Sequence, residues 1–197
     1  MSPSNLSHRP RAIRDAAQIV QWVQQAQTGD RQAFHQLADL FQAEIFRMIY
    51  YRTRSKMDAE DLTQDVFFRA FKHIGGLSAP DLFRSWLYRI AVNQVRDHHR
   101  RQRIKAMFGM VSMDEEGFQE TEEMAAPPEA ARHLARGKFW DQVRETMSGL
   151  SRMEREVFYL RFFDQLSIKE ITAAMHKNES TVKTHLYRAL GKVKAAA

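Results

Sequence analysis

The chain has no cysteine, and only five prolines and eight glycines among 197 residues. Without thiols, disulfides and thiolate metal sites are excluded, which fits a reducing compartment. No apolar run is long enough to span a bilayer, and the polar start lacks the apolar core of a signal peptide. A soluble, cytoplasmic protein with no membrane insertion is therefore expected. Strand-type alternation is also missing. Apolar residues recur at helical spacing almost to the end, so an all-α chain is expected.

What remains is an ordinary globular composition, 44% hydrophobic and 27% charged, with a net charge of +6. The length allows one large domain or two small ones. The positive balance suggests a polyanionic partner, either nucleic acid or an anionic membrane surface.

Composition divides the chain. Residues 1–14 are polar and basic and are expected to form a mobile tail. A first helical domain is expected over 15–105. Ile19, Trp22, Val23 and Ala26 form a stripe that stops at Thr28-Gly29. Asp30 can cap the next helix, whose core face is Phe34, Leu37, Phe41, Ile45, Met48 and Ile49. A third helix opens at Asp58, with a stripe of Leu62, Val66, Ala70 and Phe71 ended by Gly75-Gly76. A fourth begins near Asp81 and carries Phe83, Trp86, Leu87, Ile90 and Ala91 inward before a basic end. Between Ser112 and Ala130 there is no Lys or Arg, while Asp114, Glu115, Glu116, Glu120, Glu122, Glu123 and Glu129 accumulate. This reads as a flexible acidic linker, 106–133, which is either a solvated spacer or a segment with a task of its own.

A second helical domain, 134–197, follows. Phe139, Val143 and Met147 make one stripe. Ser151-Arg-Met-Glu154 and Ser167-Ile-Lys-Glu170 each fit a capping box, in which Ser and Glu side chains satisfy free backbone donors reciprocally. The last two helices form a candidate helix-turn-helix. The first, Ser167 to Met175, buries Ile168, Ile171 and Met175. The second, capped by Asn178, turns Val182, Leu186, Ala189 and Leu190 inward. Thr181, Lys183, Thr184, Tyr187 and Arg188 lie on its opposite face. Hydroxyls and basic groups on one helix face suit phosphate and base-edge contacts in a major groove; a helical hairpin with a solvated basic face is the plainer alternative.

Three further runs make the pattern specific. Leu150-Ser-Arg-Met-Glu-Arg-Glu-Val-Phe-Tyr-Leu-Arg161, Leu166-Ser-Ile-Lys-Glu-Ile171 and Ser180-Thr-Val-Lys-Thr-His-Leu-Tyr-Arg-Ala189 resemble the C-terminal conserved region of bacterial sigma factors. This chain departs from the family at His176-Lys177, where a glycine and an apolar residue are usual; histidine tolerates left-handed backbone better than most residues. LuxR-type regulators share this style of helix-turn-helix. Gly29-Asp-Arg-Gln-Ala-Phe34, Asp58-Ala-Glu-Asp-Leu-Thr-Gln-Asp-Val-Phe67 and Phe83-Arg-Ser-Trp-Leu-Tyr-Arg-Ile-Ala-Val-Asn93 resemble the sigma promoter-melting domain. The combination is similar to the two-domain extracytoplasmic-function sigma factors.

The resemblance implies roles. Asp61, Gln64 and Asp65, with Phe67 nearby, would bind core RNA polymerase; carboxylates repel phosphate and suit a protein partner. Asp58 and Glu60 read as an ordinary acidic helix start. The loop from His73 to Pro80, with Gly75 and Gly76, would take a flipped base of the melted −10 strand, next to Asn93, Arg96, Arg100, Arg101 and Arg103. Tyr88 and Gln94 belong to the same aromatic and amide set. Thr181, Lys183, Thr184, Tyr187 and Arg188 would read the −35 duplex. The acidic linker would thread the polymerase, and an anti-sigma factor is an expected partner. No cofactor is expected. The adjacent His98-His99 pair points two ways on a helix and completes no metal site. The rival readings are a dimeric activator that binds without polymerase and an enzyme acting on nucleic acid; no acidic metal cluster, phosphate loop or nucleophile set supports the latter.

Overall fold

The computed structural model describes residues 9–108 and 147–196. All regular structure among them is helical, and the chain divides into two compact units near Ile104. The acidic residues from Asp114 to Glu129, and Phe139 and Val143, lie outside the described residues.

The N-terminal unit has four long helices: α1 (Arg9–Gln27), α2 (Arg31–Thr53), α3 (Lys56–His73) and α4 (Phe83–Met107). Helix α1 starts at Arg9, inside the stretch that composition assigns to a tail. The α1–α2 turn relies on Gly29, whose φ of 99° is open to glycine at little cost. The Asp30 carboxylate then accepts from the N–H groups of Gln32 and Ala33 at 2.8 and 3.1 Å, satisfying two donors that a helix start leaves free. Helix α3 is capped one turn earlier than its acidic residues suggest. Ser55, not Asp58, is the cap, accepting from the Asp58 N–H at 3.2 Å.

Every expected core residue of α2 is buried. Leu62, Val66 and Ala70 of α3 are buried too, whereas Phe71 is 44% exposed and packs edge-on to Phe34 at 5.1 Å. On α4, Phe83, Leu87 and Ala91 are buried, and Trp86 and Ile90 are half-buried. Two residues that composition groups with the DNA-facing set are in the core instead, Tyr88 and Gln94. Tyr88 donates its hydroxyl to Glu44 at 2.8 Å, and Arg84 also binds that carboxylate. A half-buried acid on α2 thus draws an aromatic inward from α4. A half-buried carboxylate tolerates its position when charged and hydroxyl donors meet it in this way.

The C-terminal unit contains α5 (Arg152–Phe158), a wide five-residue turn (Tyr159–Phe163), α6 (Ile168–Met175) and α7 (Glu179–Ala196). Both capping boxes form with reciprocal bonds. In the wide turn the Asp164 N–H reaches back to Tyr159 O at 3.0 Å, and the Leu166 N–H to Leu160 O at 2.9 Å. Leu160 and Leu166 would lie about 120° apart on a regular α-helix. The wide turn, followed by left-handed Gln165, lets both enter the core. Ile171, Val182, Leu186 and Ala189 are buried as their spacing predicts; Ile168 and Met175 are half-buried, and Leu190 is 37% exposed rather than inward.

Glu154 is almost fully buried beneath α7. Its carboxylate accepts from Lys192 Nζ at 2.7 Å and from the Ser151 N–H at 2.8 Å. The Lys192 hydrogen bond, followed by the Ser151 N–H, outweighs burial and lowers its pKa to about 2.

Candidate partner and nucleic-acid interfaces

Helix α3 packs through Leu62 and Val66 and so turns Asp61, Gln64 and Asp65 to solvent. Phe67, expected beside them, is half-buried. The aromatic that joins the acidic face is Phe68, 69% exposed. Met57, Asp61, Gln64, Phe68 and Phe71 follow each other at steps of four and three, which places them on one helix face. Carboxylates and an amide therefore sit among exposed apolar side chains, a composition of protein interfaces rather than of phosphate-binding surfaces. Only the positions with a helical partner on the opposite side could be found from spacing; the choice between Phe67 and Phe68 depends on how α3 rolls against its neighbours.

Polar contacts join α3 to α4. Gln94 Nε2 lies 3.4 Å from Asp65 Oδ2, and His98 Nε2 lies 3.8 Å from Asp58 Oδ2. Asp58 lies in the first turn of α3, as an acidic helix start should, and also faces His98 of the basic helix.

On α4, Arg96, Arg100, Arg101 and Arg103 are exposed and Asn93 is half-buried. Asn93, Arg96, Arg100 and Arg103 form one stripe by their spacing, while Arg101 stands about 100° round from Arg100. Arg100 pairs with Asp97 at 3.5 Å on the surface, a contact weak enough to exchange for a phosphate. The loop between α3 and α4 leaves His73, Gly75 and Gly76 exposed. Its backbone is tied to α1: Gln27 Nε2 donates to the carbonyls of Ile74 and Leu77 at 3.1 and 2.6 Å. Spacing gives no sign of Gln27. Among the described residues no set of three His, Asp or Glu is placed to hold a metal ion, and no helix is long and apolar enough to cross a membrane.

In the C-terminal unit, Lys183, Thr184, Tyr187 and Arg188 are exposed on α7 and Thr181 is half-buried. The Thr181 N–H is taken by Asn178 Oδ1 at 2.8 Å, the expected cap. The turn before α7 survives the departure at His176, which takes the left-handed conformation (φ 51°, ψ 47°) and caps α6 by donating its N–H to Thr172. Lys183 pairs with Glu179 at 2.5 Å, which raises the lysine pKa and lowers that of the glutamate. Thr184, Tyr187 (69% exposed) and Arg188 make up the rest of this exposed face.

The geometry has known counterparts. Residues 37–104 match the Sigma-70 region 2 family and residues 140–193 the Sigma-70, region 4 family. The ECF RNA polymerase sigma factor BldN of Streptomyces coelicolor is 35% identical over 185 residues, spanning 92% of this chain and 67% of the relative. The ECF RNA polymerase sigma factor SigW of Bacillus subtilis is 27% identical over 84% of this chain and 89% of its own length. Among solved structures, CnrH in complex with the cytosolic domain of CnrY aligns with a TM-score of 0.64 at 26% identity, covering 90% of this chain and 96% of that one. The sigma factor RpoE of Bartonella quintana, solved with the anti-sigma factor NepR, shares the fold at a TM-score of 0.58 and 16% identity. An acidic helix face, an arginine stripe and a helix-turn-helix thus occur in one all-helical chain whose two units match both sigma regions. The chain belongs to the extracytoplasmic-function sigma factors of the sigma-70 family, which act in transcription initiation.

Proposed function

We propose that the protein docks on core RNA polymerase through Asp61, Gln64, Asp65 and Phe68 of α3 and recognises promoters with two separate surfaces. Thr181, Lys183, Thr184, Tyr187 and Arg188 of α7 engage the −35 duplex. The His73–Pro80 loop, Asn93 and the Arg96, Arg100 and Arg103 stripe, with Arg101 beside it, hold the melted −10 strand. The observation that carries this reading is the separation of charge within the N-terminal unit, carboxylates on the exposed face of α3 and arginines along α4. One face suits a protein and the other a polyanion.

The mechanism is binding, not catalysis. Melting costs unstacking energy, which is offset as bases leave the duplex for protein surfaces. Lys183 exchanges Glu179 for a phosphate as α7 enters the groove. The acidic stretch from Asp114 to Glu129 connects the two surfaces along the polymerase. An anti-sigma factor is the natural regulator, as NepR is the partner of RpoE in that complex.

A reconstituted transcription assay with core polymerase and a genomic promoter library tests this. Promoter-directed transcripts should require both the core enzyme and this chain. Sequence-specific binding by the chain alone, as a dimer on a palindrome and with no transcripts, would replace it with the activator reading.

A further inference from the structure

The loop after α3 is held from below and open above. Ile74 and Leu77 turn inward, 3% and 9% exposed, while Gly75, Gly76 and Ser78 stay outside. The Leu77 N–H closes a tight turn on Ile74 O at 3.0 Å. The carbonyls of both inward residues also accept from Gln27, at 3.1 and 2.6 Å. A primary amide carries two N–H groups, so one side chain can restrain both ends of the Gly75–Gly76 segment at once. Gln27 is the last residue of α1, and its own position is set by a helix that packs on the loop.

The chain's own geometry does not require the two glycines. Neither has a left-handed φ, and a Cβ added at either would meet nothing within 4 Å. The room they leave is on the solvent side, where an incoming group would approach the backbone. A restrained backbone with an open outer side is a preorganised binding element.

Resting on the assignment of this loop to the melted −10 strand, we propose that Gln27 is a positioning residue for strand capture. It fixes the Ile74 and Leu77 carbonyls and so keeps the Gly75–Gly76 segment in its strand-accepting form. Gln27→Met keeps the length of the side chain but removes both donors. Gln27→Glu keeps the shape and sets a carboxylate against two carbonyl oxygens, so it should be the more damaging. If the freed loop is competent a tenth of the time, strand affinity falls about tenfold.

The test uses the full chain in holoenzyme. The probe is a fluorescent single-stranded DNA carrying the −10 sequence of a promoter selected by the wild-type holoenzyme. Titrations with core polymerase and with the matching −35 duplex run alongside. We expect Gln27→Met to lower strand affinity about tenfold, with core and −35 affinities unchanged. Transcription should recover on a template whose −10 region is already unpaired by mismatches. Wild-type strand affinity in Gln27→Met overturns the proposal. So does an equal loss of core binding, which would make Gln27 a general structural residue. Replacing Gly75–Ala79 with a Gly-Ser segment separates the two levels: unchanged strand binding in that variant removes the loop assignment itself. A loss there with none in Gln27→Met removes only the role of Gln27.

Discussion

The N-terminal unit packs helices of 18 to 25 residues, while the C-terminal unit relies on helices of seven and eight residues beside one of 18. The long helices bury continuous stripes, and caps such as Asp30 and Ser55 refine them. A helix of two turns cannot sustain itself by propagation. The C-terminal unit compensates at its ends, with two reciprocal capping boxes and the Glu154–Lys192 contact beneath α7. Both units bury an apolar core, Leu160, Leu166 and Ile171 among it in the C-terminal one, but the short helices there depend in addition on polar bonds at their ends. The two should fail in different ways.

The largest effect is expected in the N-terminal core. Leu37→Ala should cost about 3 kcal/mol by leaving a cavity. Residue-resolved hydrogen exchange should show the loss in α1–α4 while α5–α7 keep their protection. Glu154→Gln should come next, at about 2 kcal/mol, because it weakens charged bonds to Lys192 and the Ser151 N–H. The pH dependence follows from its depressed pKa. The Glu154 contribution is complete above about 4.5 and is lost as the pH falls toward about 2. Protection of residues Met147 to Lys194 should collapse in that window, and a collapse insensitive to Glu154→Gln would break the contrast.

Functional substitutions should divide along the same boundary. Arg188→Ala should weaken −35-dependent initiation about tenfold, equivalent to roughly 1.4 kcal/mol, and leave core affinity unchanged. Changes at Gln64 and Asp65 should do the reverse, and a pull-down with intact core binding would refute their assignment. The smallest effect is Gly76→Ala. Stability should stay within about 0.5 kcal/mol, any gain coming from the unfolded state, yet −10 strand binding should weaken. Equal strand binding would mean that the open side of the loop is unused.

The contrast also explains what the sequence made legible. Core positions on α2 follow from spacing because that helix packs along its whole length. The cap at Asp30 and both capping boxes follow from local chemistry within three residues. Tyr88 and Gln94 look like surface chemistry by residue type, but the groups they meet in the fold, Glu44 and Asp65, are 44 and 29 residues away. Gln27 escapes notice for the same reason. Phe67 and Phe68 are separated by the roll of one helix, and Leu190 lies outside because the α7 stripe is narrower than its apolar residues imply. Local rules reach neighbours; pairings across the fold need the fold.

The wide turn at Tyr159–Phe163 bears on how such a chain can vary. Removing one residue there would restore an ordinary helical turn and swing the following segment by about 100°. Leu166 would leave the core, and the recognition face of α7 would lose its phase against α5. Tyr159 and Leu160 are held by the core, whereas Phe162, 47% exposed, is free to vary. The length of the segment is not. The turn acts as a spacer of fixed count between the body of the unit and its recognition helix.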